Sequence, residues 1–215
     1  EQRKGEERQA EAIGREEGAG VIAFERDATP SGSTALSSGM IPACSTRFQA
    51  EAGVDDSVNL FAADIMRKNH DEASPEIVDA VCRESGPVVD WLADSHDIPL
   101  SLVDGFLYPG HSALRMHAPP GRTGQELMGA LLNATSRAEI DIVTSAQVSR
   151  LIAGPDDRVL GFEIGRPDGS TERIGCRTLI LACNGFGGNA AMVAQHLPEM
   201  ADALYFGHTG NQGDA

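Results

Sequence analysis

Basic residues are scarce in this chain: 17 Lys and Arg stand against 32 Asp and Glu, a formal charge of −15 over 215 residues. A field of that sign repels phosphate polyanions and anionic bilayers, so nucleic-acid binding is not expected. Long apolar runs are also lacking. No stretch approaches the roughly 20 residues that a membrane-crossing helix needs. The first residues are charged where a signal peptide is apolar, which reads as a cytoplasmic protein with no membrane insertion. Paired cysteine spacings are absent as well. Cys44, Cys82, Cys176 and Cys183 stand singly, without the pattern of a zinc or redox motif, and are expected as small buried hydrophobes. No metal site is expected.

What is present suits a folded globular protein, with 41% hydrophobic and 23% charged residues. Residues Glu1 to Glu17 mix charges and alanines with almost no apolar face, as a solvated helix or a frayed terminus does. Gly18-Ala19-Gly20 then leads into Val21-Ile22-Ala23-Phe24, a short apolar run of the kind found in a buried parallel strand, which Glu25 ends. The Ser- and Gly-rich segment Ser31 to Ser38 runs straight into Met40-Ile41-Pro42-Ala43, so it reads as a loop held against something.

From about Asp55 to Arg137 the apolar period is helical. Asp55, Asp56 and Ser57 are cap candidates before Val58, Phe61 and Ile65, and Ser74-Pro75 is a stronger start because proline suits the first helical position. Gly86-Pro87 is expected to end that helix and open another, carrying Trp91 and Leu92; a last helix starts at about Gly124. Trp91 and the phenylalanines fall at core spacings. Beyond Ile140 three strands are expected, 146–153, 159–165 and 171–176, separated by Gly154-Pro155-Asp156-Asp157 and Pro167-Asp168-Gly169. That pattern is an antiparallel meander. A further buried strand, Thr178 to Cys183, meets the turn Asn184-Gly185-Phe186-Gly187-Gly188, and a short helix follows near Ala190 to His196.

An acid at the end of a strand in a dinucleotide fold accepts hydrogen bonds from ribose hydroxyls, and Glu25 is so placed, although surface glutamates also end strands. The order of features resembles the flavoprotein family of fumarate reductase and succinate dehydrogenase, ketosteroid dehydrogenases included. The most specific match is Ser31-Gly32-Ser33-Thr34-Ala35-Leu36-Ser37-Ser38-Gly39-Met40, similar to the Gly-Gly-Asn-Thr-Ala-Leu-Ser-Gly-Gly-Met loop that lies along the flavin in that family. Leu181-Ala182-Cys183-Asn184-Gly185-Phe186 resembles its Leu-Ala-Thr-Gly-Gly-Phe turn, and Gly210 to Ala215 its Thr-Gly-Asp-Gly segment.

The resemblance implies an α/β, doubly wound FAD-binding fold with an antiparallel β-meander and an inserted helical segment: residues 1–48 and 140–215 form the FAD-binding domain, and 49–139 the mainly helical insertion. It implies FAD contacts from Glu25, Ser33, Thr34, Ser38, Gly39, Met40, Val148, Asn184, Gly185 and Asp214. The FAD is expected to be non-covalent, because Ser33 stands where membrane-bound members carry the histidine that bonds to it. Arg115 and His117 are the candidates for contact with a small-molecule substrate, a carboxylic acid or a ketosteroid, since guanidinium groups bind carboxylates bidentately. His208 reads as a loop histidine.

Two departures from the family pattern stand out. The family's Gly-x-Gly-x-x-Gly turn, which holds the pyrophosphate, would fall on Gln2, Lys4 and Glu7, so the first strand and its turn are not found. No full catalytic set is visible either. The implied activity is oxidation or reduction at a carbon-carbon bond by a fragment, completed by a further domain or an electron-transfer partner. The alternative is a degenerate flavoprotein that binds no cofactor and serves as a subunit or protein-binding module.

Overall fold

A computed structural model describes residues 18–214. The charged segment Glu1 to Glu17, with Gln2, Lys4 and Glu7, and Ala215 lie outside the described residues. The protein is mixed α/β and forms two compact units: 18–36 with 135–214, and 37–134.

In the first unit β1 (Ile22–Phe24) pairs in parallel with β5 (Asp141–Val143), Ala23 opposite Ile142. Two bonds carry the pairing past the end of β1: Glu25 N donates to Val143 O at 2.9 Å, and Ala146 N to Glu25 O at 2.9 Å. Then comes the meander, β6 (Gln147–Ala153), β7 (Val159–Gly165) and β8 (Thr171–Gly175), antiparallel throughout. Its turns form as their chemistry requires: Gly169 has φ +82°, and Asp168 Oδ1 accepts from Ser170 N at 2.9 Å. Along β7 the alternating residues Phe162 and Ile164 face inward, joined in the core by Ala146, Phe24, Val143 and Val148. Phe162 meets Phe24 edge to face, ring centroids 5.0 Å apart. The meander therefore packs on the parallel pair through two aromatic rings.

The segment Thr178 to Cys183, expected as a buried strand, joins no ladder among the described residues, and Ile180 and Leu181 are half exposed. An apolar run commits a segment to an extended form only when a neighbouring strand takes up its N–H and C=O groups. The expected loop at Ser31 closes one helical turn, α1 (Gly32–Leu36), with Thr34 buried. The helix α6 (Ala190–His196) follows the glycine turn, capped by Asn189.

The second unit holds a small antiparallel sheet, β2 (Ile41–Pro42), β4 (Met116–Ala118) and β3 (Ser101–Leu102) in that order, among helices α2 (Arg47–Glu51), α3 (Val58–Lys68), α4 (Pro75–Asp94) and α5 (Gly124–Arg137). Strands of two and three residues are too short to show a period, so nothing in the sequence marked this sheet.

Gly86-Pro87 does not end a helix. Instead α4 runs unbroken for 20 residues with Pro87 inside it. An internal proline costs about 3 kcal/mol. Each half of α4, however, is committed to its own apolar cluster. Val78 and Cys82 pack with Phe61 and Cys44, and Val89 and Leu92 pack with Ile98, Leu100, Leu127 and Leu131. Burying Val89 and Leu92 contributes about 1.5–3 kcal/mol each, enough to offset the proline. Gly86 is needed there because a Cβ would stand 2.3 Å from the Cys44 carbonyl oxygen.

Burial separates the cysteines and the phenylalanines. Cys44 and Cys82 are buried, whereas Cys176 and Cys183 are only partly covered. Phe106 and Phe206 are exposed, the latter at 86%, against the expectation from spacing. No helix among the described residues is long and apolar enough to cross a membrane.

Candidate functional site

Three segments of the first unit converge: the end of β1 with α1, the glycine turn after Cys183, and residues 208–214. Glu25 ends β1 half-buried, and one of its carboxylate oxygens accepts from Asp27 N at 2.9 Å. Ser33, on α1, accepts from His208 N at 3.3 Å and from Asn211 Nδ2 at 3.0 Å. With both acceptor positions taken, its hydroxyl has its proton left to give.

Asn184 adopts φ +64°, a conformation asparagine tolerates because its side chain bonds locally; here its Oδ1 accepts from Gly185 N at 2.9 Å. Gly185 O accepts from Gly213 N at 3.2 Å, Asn211 O from Gly188 N at 2.8 Å, and Gln212 O from Asn189 Nδ2 at 3.0 Å. The glycine turn and the 208–214 segment are thus laced together through backbone. Asp214, at the end of that segment, keeps its carboxylate 40% exposed, 4.0 Å from the Arg26 guanidinium.

Of the other expected FAD contacts, Val148 packs in the meander core opposite Ile164, and Thr34 is buried. Ser38, Gly39 and Met40 belong to the second unit. Gly39 has φ +66°, and a Cβ there would stand 2.5 Å from the Thr123 carbonyl, so only glycine fits.

Arg115 and His117 depart from what the sequence suggested. Both are buried in the second unit, Arg115 at 1% and His117 at 0% exposure. The Arg115 guanidinium is bidentate to Asp56, at 2.7 and 2.9 Å, donates a third bond to Asp64, and lies 4.7 Å over the Phe61 ring. Asp64 also accepts from Ser112 N and Oγ, at 2.7 and 2.6 Å, and from Arg67 at 2.7 Å. Burial works to raise the Asp64 carboxyl, but the bonds from Ser112, Arg115 and Arg67 outweigh it and hold the group far below the usual carboxylate range. His117 Nε2 stands 2.9 Å from Thr46 Oγ1, and burial lowers its pKa against the backbone carbonyls of Ile41 and Arg115, which keeps it neutral. The Arg115 guanidinium is thus spent on Asp56 and Asp64, and His117 pairs with Thr46.

One signal for that network was available in the sequence. Asp64 lies three residues after Phe61 and one before Ile65, an acid on the apolar face of α3, where a charge persists only if paired. Arg26, Asp27 and Asn211 gave no comparable sign, because their partners lie far along the chain.

The first unit thus offers two part-exposed carboxylates, at Glu25 and Asp214, and a hydroxyl donor at Ser33, around a glycine-bearing turn. Carboxylates of this kind accept from sugar or ribityl hydroxyls, and Gly185, where an added Cβ would meet nothing within 4 Å, leaves open space for a ligand's approach. This donor and acceptor set fits FAD, and the class is that of a flavin-nucleotide-binding α/β protein. The chain belongs to the FAD binding domain family, whose model matches residues 11–215.

Among curated relatives, it is 26% identical over 200 residues to the NADH:fumarate oxidoreductase of Klebsiella pneumoniae, covering 92% of this chain and 21% of that one. It is likewise 26% identical over 194 residues to the urocanate reductase of Eggerthella lenta, covering 88% of this chain and 31% of the relative. The chain therefore spans a third or less of the length of these relatives. Of the solved structures, the open conformation of a flavocytochrome c3 fumarate reductase matches with TM-score 0.87 at 26% identity, over 96% of this chain and 36% of that one. The 3-ketosteroid-Δ4-(5α)-dehydrogenase of Rhodococcus jostii matches with TM-score 0.83 at 22% identity, over 95% and 49%, a likeness of fold alone.

Proposed function

We propose that this chain is the FAD-binding part of a larger fumarate-reductase-like oxidoreductase acting at a carbon-carbon bond. The observation that carries the reading is the convergence of Glu25, Ser33, the Asn184-Gly185 turn and the Asp214 segment in one unit. Glu25 and Asp214 would accept from FAD hydroxyls, and Ser33 would donate its proton. Thr34, Ser38, Gly39, Met40, Val148, Asn184 and Gly185 complete the proposed set, in domains spanning 1–48 with 140–215 and an insertion over 49–139.

Bound FAD supplies hydride transfer. It is held without a covalent bond, since serine stands at position 33. The relatives named for reducing fumarate and urocanate support a small carboxylic acid as substrate, with electrons delivered by a partner or a further domain. A ketosteroid is the other substrate class, supported only by likeness of fold. Arg115 and His117 are framework residues in this reading, and the substrate meets other groups.

The test is the visible absorbance spectrum of the purified protein before and after adding FAD. Flavin bands that stay with the protein through gel filtration are the expected result. Their absence with excess FAD sinks the reading and favours a cofactor-free protein-binding module. That second reading has one observation of its own, the exposure of Leu204 at 82% and Phe206 at 86%.

A further inference from the structure

Arg26, Asp27 and His208 fasten the Asp214 segment in a way that depends on one proton. His208 Nδ1 accepts the Gly210 amide at 3.1 Å, so this nitrogen carries a lone pair and no hydrogen. Its Nε2 stands 3.2 Å from Asp27 Oδ2, an oxygen that can only accept. A single form of the ring satisfies both contacts: the neutral imidazole protonated on Nε2.

The ring thereby ties the segment after β1 to the turn that leads to Asp214. From the other side Arg26 Nη1 donates to Gly210 O at 3.1 Å, so both backbone groups of Gly210 are held. The tie reaches the two carboxylates of the proposed site. Asp27 N donates to Glu25 Oε1, and Arg26 lies beside Asp214. We infer that His208, as the neutral Nε2–H tautomer clasped between Asp27 and the Gly210 amide, is a positioning residue for FAD that sets where the Asp214 carboxylate stands relative to Glu25. This rests on the FAD reading above.

Protonating Nδ1 removes the acceptor of the Gly210 amide and turns a second donor toward it. The charged and titratable groups around the ring are Asp27, Arg26, Asp214 beyond Arg26, and Tyr205, whose hydroxyl donates to His208 O at 3.3 Å. The imidazolium keeps its pair with Asp27 and loses the turn. FAD affinity therefore falls when the ring takes up a second proton.

The experiment measures FAD affinity of the full chain by flavin fluorescence at about pH 8 and about pH 5.5, for the wild type, His208→Asn and His208→Ala. Asparagine offers its carbonyl oxygen near the Nδ1 position and does not titrate. The wild type is expected to bind about tenfold more weakly at the lower pH, His208→Asn to lose most of that slope, and His208→Ala to bind weakly and evenly at both.

Nitrogen NMR of the ring in the protein without FAD gives a separate reading, with Nε2 protonated and Nδ1 bare expected at the higher pH. The opposite tautomer overturns the inference. FAD binding with no wild-type slope, or with the same slope in His208→Asn, overturns it while the FAD reading stands. No FAD binding at either pH, with the expected tautomer present, overturns the FAD reading and the positioning role with it.

Discussion

The two units use polar side chains in opposite ways. In the second, the side chains of Arg115, Asp56 and Asp64 are packed into the interior and bonded to one another, and the buried His117 pairs with Thr46. In the first, Glu25, Arg26, Asp27, His208 and Asp214 are partly exposed, their bonds leave carboxylate oxygens open, and they gather on one glycine-bearing turn. A buried charge whose every bond is internal contributes to structure. A half-exposed one fixed by a few bonds is positioned and still free to bind. The residue types are similar in both places, and burial alone separates the two uses.

The strongest way to break this contrast is to remove the centre of the buried network. Arg115→Met leaves Asp56 and Asp64 buried without a counter-charge and is expected to cost about 3–5 kcal/mol of stability in urea unfolding. Replacing Asp56 and Asp64 by Asn in the same protein should recover part of that loss. A cost within about 0.5 kcal/mol for Arg115→Met would show that the network holds nothing together.

Acid sharpens the contrast next. Asp64 has a folded pKa depressed below its unfolded value of about 3.9, so its contribution is complete above that value and is lost as pH falls toward the folded one. Urea midpoints measured between about pH 5 and pH 2.5 should fall for the wild type and fall less steeply for Asp64→Asn. Parallel slopes would remove Asp64 from the acid response.

The smallest expected effect lies in the first unit. Glu25→Ala should weaken FAD binding about tenfold, in line with loss of one hydrogen bond to a charged group, with little change in the unfolding midpoint. A large stability loss with FAD affinity intact would place Glu25 among the structural residues instead.

The parts of the fold legible in the sequence were those set by local chemistry. The meander was readable because alternation and turn residues agree over 146–176, and α3 because Ser57 caps it, accepting from Leu60 N at 3.2 Å. Where local signals were strong but the outcome was decided by contact, reading along the chain failed. Pro87 lies inside a helix because packing on both sides of it outweighs its cost. The run at Ile180-Leu181 read as buried because it is apolar, and among the described residues it pairs with no strand. The same holds for the site. The segments bearing Glu25, Ser33, Asn184 and Asp214 were recognisable as motifs, whereas Arg115 carried the right chemistry for a carboxylate and had already spent it on Asp56 and Asp64.

By itself, then, the sequence determined the family resemblance, the meander, the principal helices and the order of the candidate FAD segments, because periodicity, caps and turns act over a few residues. Only the tertiary structure decided which charges were buried and which stayed open, since burial depends on partners 50 or more residues away, as in the pairing of Arg115 with Asp56 and Asp64. It also decided that His208 meets Asp27, 181 residues before it in the chain. That is a contact no local pattern encodes.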